Sequence, residues 1–528
     1  MLTLADVIEA LTNTRPPQAE TVITEAAIDS RQVIPGSLFV ALPGERVDGH
    51  DFVADAFRRG ASLALIQHDI PGSFRTVRLA HGIVPVPAYH PESRTGREGQ
   101  SLDLHTDLDV PRLPSSGGLC LLVENTLTAL QQIAHFWRRK LDLRVIGITG
   151  SVGKSTTKEV IAEVLDQRYR TLKSPGNMNN EIGLPLTILR LGRGYERAVL
   201  EMGFYIPGEI AFLCDIALPE IGVVTNIGTV HAERAGSQED IFRGKSELVQ
   251  ALPANGVAVL NLDDPWVCKM AELTRASVFF YGLDPAADLW ADEVEGLGLE
   301  GIRFRLHYRR SSPGSSISSR ISYGTGHETL HVRIPMIGQH SVHTALRAAA
   351  VGLADGLTWQ EILDGLRQGH AQLRLTAVRT ESGALLLDDT YNASPESMLA
   401  ALNLLAELGG RKVAVLGDML ELGQYEKQGH EMVGVRAAEV ADTLVTVGTR
   451  AHIIATAARR AGLGSRKIAE FENQDEAIAH LRKSLTKEDV VLVKGSHGIR
   501  MDRIVAALEV PVPAYHPESR TGRGDVPE

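Results

Sequence analysis

Residues 148–159, ITGSVGKSTTKE, hold the residue types that phosphate chemistry needs. Glycines let backbone N–H groups turn toward phosphate oxygens, and a helix N-terminus behind them adds positive potential. Lys154 has the length to reach β- and γ-phosphates, and the Ser155 hydroxyl suits a magnesium ion. The common pattern, G-x-x-x-x-G-K-[ST], would place its first glycine at 148, where Ile148 stands; glycines occur at 147 and 150 instead. A bare G-K-S also occurs in ordinary strand-to-helix turns, so the context matters. Here Val145–Thr149 reads as a strand, Gly150–Lys154 as a turn and Ser155 as the start of a helix. Thr149, Gly150, Ser151, Val152, Gly153, Lys154, Ser155 and Thr156 are therefore the candidate nucleotide-binding residues.

The surrounding chain supplies the elements that position such a turn. Its 528 residues predict three or four domains at about 150 residues each. Residues 144–371 alternate apolar strands with helices: RVIGITG, RAVLEMG, EIGVVTNIG and GVAVLNLDD each end in glycine or polar residues, as buried parallel strands do when their C-terminal ends carry a site. Alternation at 302–309 and again from Thr329 predicts an antiparallel hairpin, with a Ser/Gly-rich tip at 311–327. Residues 341–357 read as a helix. Residues 372–509 repeat the alternation in ALLLDDTYN, RKVAVLGDM, DTLVTVG and DVVLVKGS. The expected fold class is α/β in three domains: a small α/β domain over 1–140, a central parallel-sheet P-loop domain over 141–371, and a doubly wound, Rossmann-like domain over 372–509.

Residues 84–97, VPVPAYHPESRTGR, recur without change at 510–523. Proline-rich and polar, they read as part of an inserted mobile loop at about 74–118 and as a mobile tail at 510–528.

Net charge of −11 argues against a broad nucleic-acid footprint. Cys120, Cys214 and Cys268 are too far apart for a Cys-based metal site or a disulfide framework and fit a reducing cytoplasm. The N-terminus lacks a basic leader and reads as a helix, and no apolar run approaches the ~20 residues that span a bilayer. A cytoplasmic monomer without membrane insertion is expected.

Further motifs follow the turn in order. NMNNEIGLPLTIL (177–189), LEMGFYIPGEI (200–210), TNIGTVHAERAGSQEDIFRGKSELV (225–249) and GQHSVHTALRAAA (338–350) together resemble the Mur ligases, whose phosphate loop carries the same displaced glycine. LLLDDTYNASPESMLAAL (385–402), VLGDMLELGQYEKQGHEMVG (415–434), VLVKGSHGIRMDRIV (491–505) and DSRQVIPGSLFVALPGERVDGHDFVADA (29–56) resemble the MurF type within that family. Ser341 and Thr344 depart from the family's usual asparagines, and His497 from its usual arginine.

The resemblance implies an ATP-dependent amide ligase that joins D-alanyl-D-alanine to UDP-N-acetylmuramoyl-tripeptide through an acyl phosphate. It implies two Mg²⁺ sites, with Ser155, Glu201, His231 and a CO₂-derived carbamate on Lys245 as ligands. Lys154, Glu201, His231 and Lys245 carry the catalysis. Asn261, Asp264, Arg374 and Asp389 join the nucleotide site, the last two when the third domain closes. Asp29, Ser30 and Arg31 meet the uridine diphosphate, Asn177, Asn179 and Asn180 the substrate, and Asn392, Lys494 and Ser496 the dipeptide region.

Competing readings are a MurE-type ligase, a folylpolyglutamate synthetase, a P-loop ATPase or kinase, and an inactive scaffold. No D-N-P-R segment occurs, residues 29–56 point to a UDP-binding domain, and the Lys245 segment and third domain exceed a kinase's needs.

Overall fold

The structure is a computed structural model. It describes residues 1–17, 19–44, 46–71, 74–79, 118–229, 232–309, 327–368 and 376–509. The duplicated segments, the Ser/Gly-rich tip over 311–326, His231 and Arg374 lie outside the described residues. Two compact units result: Met1–Leu373 with Glu421–Glu426, and Arg374–Leu420 with Lys427–Glu528.

The first unit holds two sheets. The smaller is built from β1 (Ala26–Ala27), β2 (Leu38–Val40), β3 (Leu63–Ile66), β4 (Arg75–Arg78) and β5 (Leu119–Leu122), in the order β1-β2-β3-β5-β4 with every pair parallel. β4 corrects the expectation that a loop begins at 74. Its four residues alternate half-buried and exposed at the sheet edge, too short a run for periodicity to register. The N-terminal helix, Leu4–Thr12, starts at a capping box between Thr3 and Asp6.

The larger sheet has nine strands in the order β14-β13-β12-β11-β10-β9-β6-β8-β7. These are β6 (Arg144–Thr149), β7 (Thr171–Lys173), β8 (Arg197–Glu201), β9 (Ile221–Val224), β10 (Val257–Asn261), β11 (Ser277–Gly282), β12 (Leu289–Gly296), β13 (Ile302–Arg309) and β14 (His327–Ile334). β12, β13 and β14 pair antiparallel and the remainder parallel. β9 and β10 are buried along their whole length, which is why their sequences are unbroken apolar runs.

The two sheets share one core. The helix Thr126–Arg139 packs its Leu130, Ile133, Ala134 and Trp137 into a cluster that runs from Leu2 to Ala276. The Trp137 indole donates to the carbonyl of Leu191, 2.8 Å away, and the buried Arg138 guanidinium caps the carbonyls of Leu141, Leu143 and Ala217.

Behind the larger sheet, the helix Val342–Ala354 ends at Asp355, whose fully buried carboxylate pairs with Arg144 on β6 and Arg197 on β8. Losing one partner of a buried ion pair typically costs about 3–5 kcal/mol. Asp355→Ala is therefore expected to lower the unfolding free energy by about 3 kcal/mol, read from urea denaturation. An unchanged midpoint would show the cluster to be energetically idle.

The second unit holds β15 (Thr376–Arg379), β16 (Leu385–Asp389), β17 (Arg411–Gly417), β18 (Thr443–Val447), β19 (Ile468–Phe471) and β20 (Asp489–Lys494), in the order β15-β16-β20-β17-β18-β19. Only β15 pairs antiparallel.

Candidate active site

The glycine turn lies at the C-terminal ends of β6, β8 and β9, where open α/β sheets bind ligands. Gly153 precedes the helix Lys154–Leu165 at φ +83°, a left-handed conformation that glycine adopts without strain. Gly150 stands so close to β9's continuation that a Cβ there would lie 1.8 Å from Thr225 Oγ1. Thr225 and Asn226, which open the 225–249 motif without a role of their own in the sequence, shape the turn from outside. Thr225 Oγ1 donates to the Val152 carbonyl (2.7 Å). Asn226 accepts from the Val152 N–H through its side chain (2.9 Å) and from the Ser151 N–H through its backbone (3.0 Å). Thr149 is buried with its hydroxyl on the Met202 carbonyl, and Ser151 Oγ accepts from the Gly228 N–H.

Three of the expected side chains converge here. Lys154 Nζ donates to the Gly150 carbonyl at 2.8 Å. Lys245 reaches the same oxygen at 3.2 Å from the helix Gln238–Ala251, and its side chain is fully buried. Phe204 lies beside that amine, 4.6 Å from Nζ to the ring centroid. Gly244 makes room for the ring, since a Cβ there would fall 2.0 Å from it. Burial, reinforced by the neighbouring Lys154 charge, holds the Lys245 amine well below the ordinary lysine range. Two ammonium groups on one buried carbonyl repel, which adds to burial in disfavouring the charged form of Lys245.

Glu201, the last residue of β8, is paired in register with Ile148 and is 2% exposed. Its carboxylate accepts from Ser155 Oγ (2.7 Å) and Asn179 Nδ2 (2.9 Å). A buried carboxylate beside a hydroxyl at a phosphate turn is the hard-oxygen donor set that Mg²⁺ prefers, so these residues fit that ion. Lys158, also missed in the sequence, is 1% exposed. It donates to the Gly176 carbonyl (3.0 Å), pairs with Glu159 (3.2 Å) and lies 3.9 Å from Glu201. Its one-turn spacing from Lys154 was the available signal.

Other expected residues have structural engagements. Asn180 Oδ1 accepts the Gly183 N–H at the start of the helix Gly183–Leu189, and Asn177 is exposed. Asn261 accepts from the Asp263 N–H. Asp264 caps the helix Pro265–Lys269 and takes the Ile227 N–H as well. These three N–H bonds give it a turn-fixing role, because an aspartate before a proline-led helix is a strong N-cap. Ser341 is buried on the Ile337 carbonyl and Thr344 is also buried; His497 is exposed.

In the smaller sheet's domain, Asp29 and Arg31 pair with each other at 2.7 Å, and the Ser30 hydroxyl is turned inward to Asp55. Arg31 remains 81% exposed. In the second unit, Asp389, Asn392, Lys494 and Ser496 come together at the ends of β16 and β20. Lys494, 2% exposed, binds Asp389 Oδ2 and the Asn392 carbonyl, each at 2.8 Å. Ser496 Oγ accepts the Leu420 N–H. Lys494 thus fastens the loop that follows β16.

Three family descriptions match the chain: Mur ligase family, catalytic domain (22–91); Mur ligase middle domain (148–352); and Mur ligase, glutamate ligase domain (373–497). A relative from Bacillus subtilis (strain 168), named UDP-N-acetylmuramoyl-tripeptide–D-alanyl-D-alanine ligase, is 32% identical over 96% of this chain and 98% of its own. The chain belongs to the Mur ligase family. Among solved structures, a MurF from Acinetobacter baumannii is similar to this Mur ligase with 29% identity and a TM-score of 0.74, covering 95% of this chain and 97% of that one. The MurF ligase from Thermotoga maritima, solved in complex with ADP, has 28% identity and a TM-score of 0.67 over 92% and 96% of the two chains. Among the described residues of this Mur ligase, no helix is long and apolar enough to cross a membrane.

Proposed function

We propose that this Mur ligase joins D-alanyl-D-alanine to UDP-N-acetylmuramoyl-tripeptide with conversion of ATP to ADP and phosphate. The observation that carries the reading is similarity along nearly the whole length to relatives named for that reaction, 32% and 36% identical in Bacillus subtilis and Mycobacterium tuberculosis. The site supplies what the chemistry requires. A carboxylate and an amine do not condense unaided in water. In the first step a carboxylate oxygen of the tripeptide attacks the γ-phosphorus of ATP and ADP departs. In the second the dipeptide amine attacks the acyl phosphate carbonyl, loses a proton, and phosphate leaves. The first step joins two anions, so neutralising charge dominates the barrier.

Lys154 and the N-terminal end of its helix hold the phosphates, with Lys154 exchanging the Gly150 carbonyl for phosphate oxygens. Glu201 and Ser155 would hold Mg²⁺, with His231 a ligand for a second ion; the metal supplies further neutralisation. Lys245 bears the remaining role. Its neutral amine adds to CO₂, forming an N–C bond and releasing one proton, which leaves an anionic carbamate able to serve as an oxygen ligand. Asn179 orients Glu201, and Arg31 is suited to a diphosphate.

ADP release measured with UDP-N-acetylmuramoyl-tripeptide is expected to depend on D-alanyl-D-alanine. Release at the same rate without the dipeptide would overturn the assignment. Running the diaminopimelate and lysine forms of the tripeptide side by side identifies the preferred third residue.

A further inference from the structure

Arg347 has no part in the mechanism above, yet it reaches the phosphate turn. It projects from the helix Val342–Ala354, one turn beyond Thr344, and is 6% exposed. Its Nη1 donates to Thr157 Oγ1 at 2.5 Å and stands 3.5 Å from where a Cβ on Gly153 would be. Its Nε is buried without a hydrogen bond. The Tyr281 ring lies 5.7 Å from the guanidinium carbon, and the buried Tyr281 hydroxyl faces the same guanidinium as a neutral neighbour. Burial pushes that phenol up to about 12, so it offers no anion.

A guanidinium has five N–H donors in a rigid fork. Burying one beside two neutral hydroxyls, those of Thr157 and Tyr281, leaves a charge with no carboxylate in an ion pair with it among the described residues, a costly arrangement that native structures rarely keep without a partner. What the pocket lacks is an anionic oxygen, and the adjoining turn is shaped to receive them.

We propose that Arg347 is a nucleotide-binding residue whose guanidinium takes a phosphate oxygen of a nucleoside di- or triphosphate seated on Gly150–Ser155, with Thr157 as its partner when no nucleotide is bound. The assignment rests on the reading of that turn as an ATP site. It gives the phosphates a second protein cation beside Lys154, next to Gly153. A plain strut between two helices is the rival account, and it places the importance in the Thr157 bond.

Calorimetric titration of the full chain with ADP and Mg²⁺ separates the two. Arg347→Met is expected to weaken ADP about 10- to 100-fold, as loss of a hydrogen bond between charged partners does. Adenosine, measured by competition, should bind as before. Thr157→Val, which cuts the strut and keeps the cation, should hold ADP affinity within about threefold. Arg347→Lys retains a buried cation without the fork, and the same selective loss for ADP is expected if Arg347→Met melts too low to titrate. Unchanged ADP binding in the Arg347 variants would overturn the assignment, as would equal losses in Arg347→Met and Thr157→Val, or equal losses for ADP and adenosine. Failure of the unaltered protein to bind ADP would overturn the ATP reading and this assignment together.

Discussion

Glu201→Gln is expected to reduce kcat for ligation by about 10²- to 10³-fold, in line with removing one preorganised electrostatic contact at a transition state. The substitution keeps the side chain's length and removes its charge. Glu201 is buried at the end of β8, held by Ser155 and Asn179, so its geometry is already set before any ligand arrives. What changes is its capacity to bind a hard cation. Thermal unfolding should move little, because Lys158 retains Glu159 and the Gly176 carbonyl as partners. The discriminating measurement is a Mg²⁺ titration of single-turnover ADP formation: the variant's half-saturating Mg²⁺ should rise while its ADP affinity in the absence of metal stays put. A variant that retains a third or more of the wild-type kcat at the wild-type Mg²⁺ optimum would remove Glu201 from the metal site.

Lys245→Ala should cost about two orders of magnitude in kcat, the scale of losing a charged group that acts on developing phosphate charge. Lys245→Glu should recover part of that loss. The reasoning turns on protonation. Burial and the Lys154 charge lower the amine's pKa well below 10.5. Between the lowered value and 10.5 the unfolded chain binds one more proton than the folded chain, so stability rises with pH across that window. The neutral amine favoured by folding is also the form that adds CO₂. A carbamate carbon should appear in ¹³C NMR spectra of protein equilibrated with ¹³C-bicarbonate and vanish in Lys245→Ala. Full activity in Lys245→Ala would end the carbamate proposal.

Much of this was legible before any coordinates. The runs that became β6, β8, β9 and β10 are apolar to their ends because both sheet faces are covered, and a covered strand advertises itself by composition. Lys154, Ser155, Glu201 and Lys245 meet at one turn as their motifs implied. Other features escaped for physical reasons. β4 exposes every second residue at an edge, and four residues do not establish a period. The capping role of Asp264 depends on Pro265 opening a helix of only five residues, too short to announce itself by periodicity. Arg347 lies 190 positions from the hydroxyl it binds, and no local pattern reports such a meeting. Arg374 and His231 are named by motif alone.

The helix Thr126–Arg139 has a consequence for how this ligase can be taken apart. Because Trp137 and Arg138 anchor in the catalytic sheet's own loops, residues 1–140 have no seam along which to detach cleanly. Hybrids that graft this amino-terminal portion onto a different family member would have to transplant the receiving groove around Leu191 and Ala217 as well.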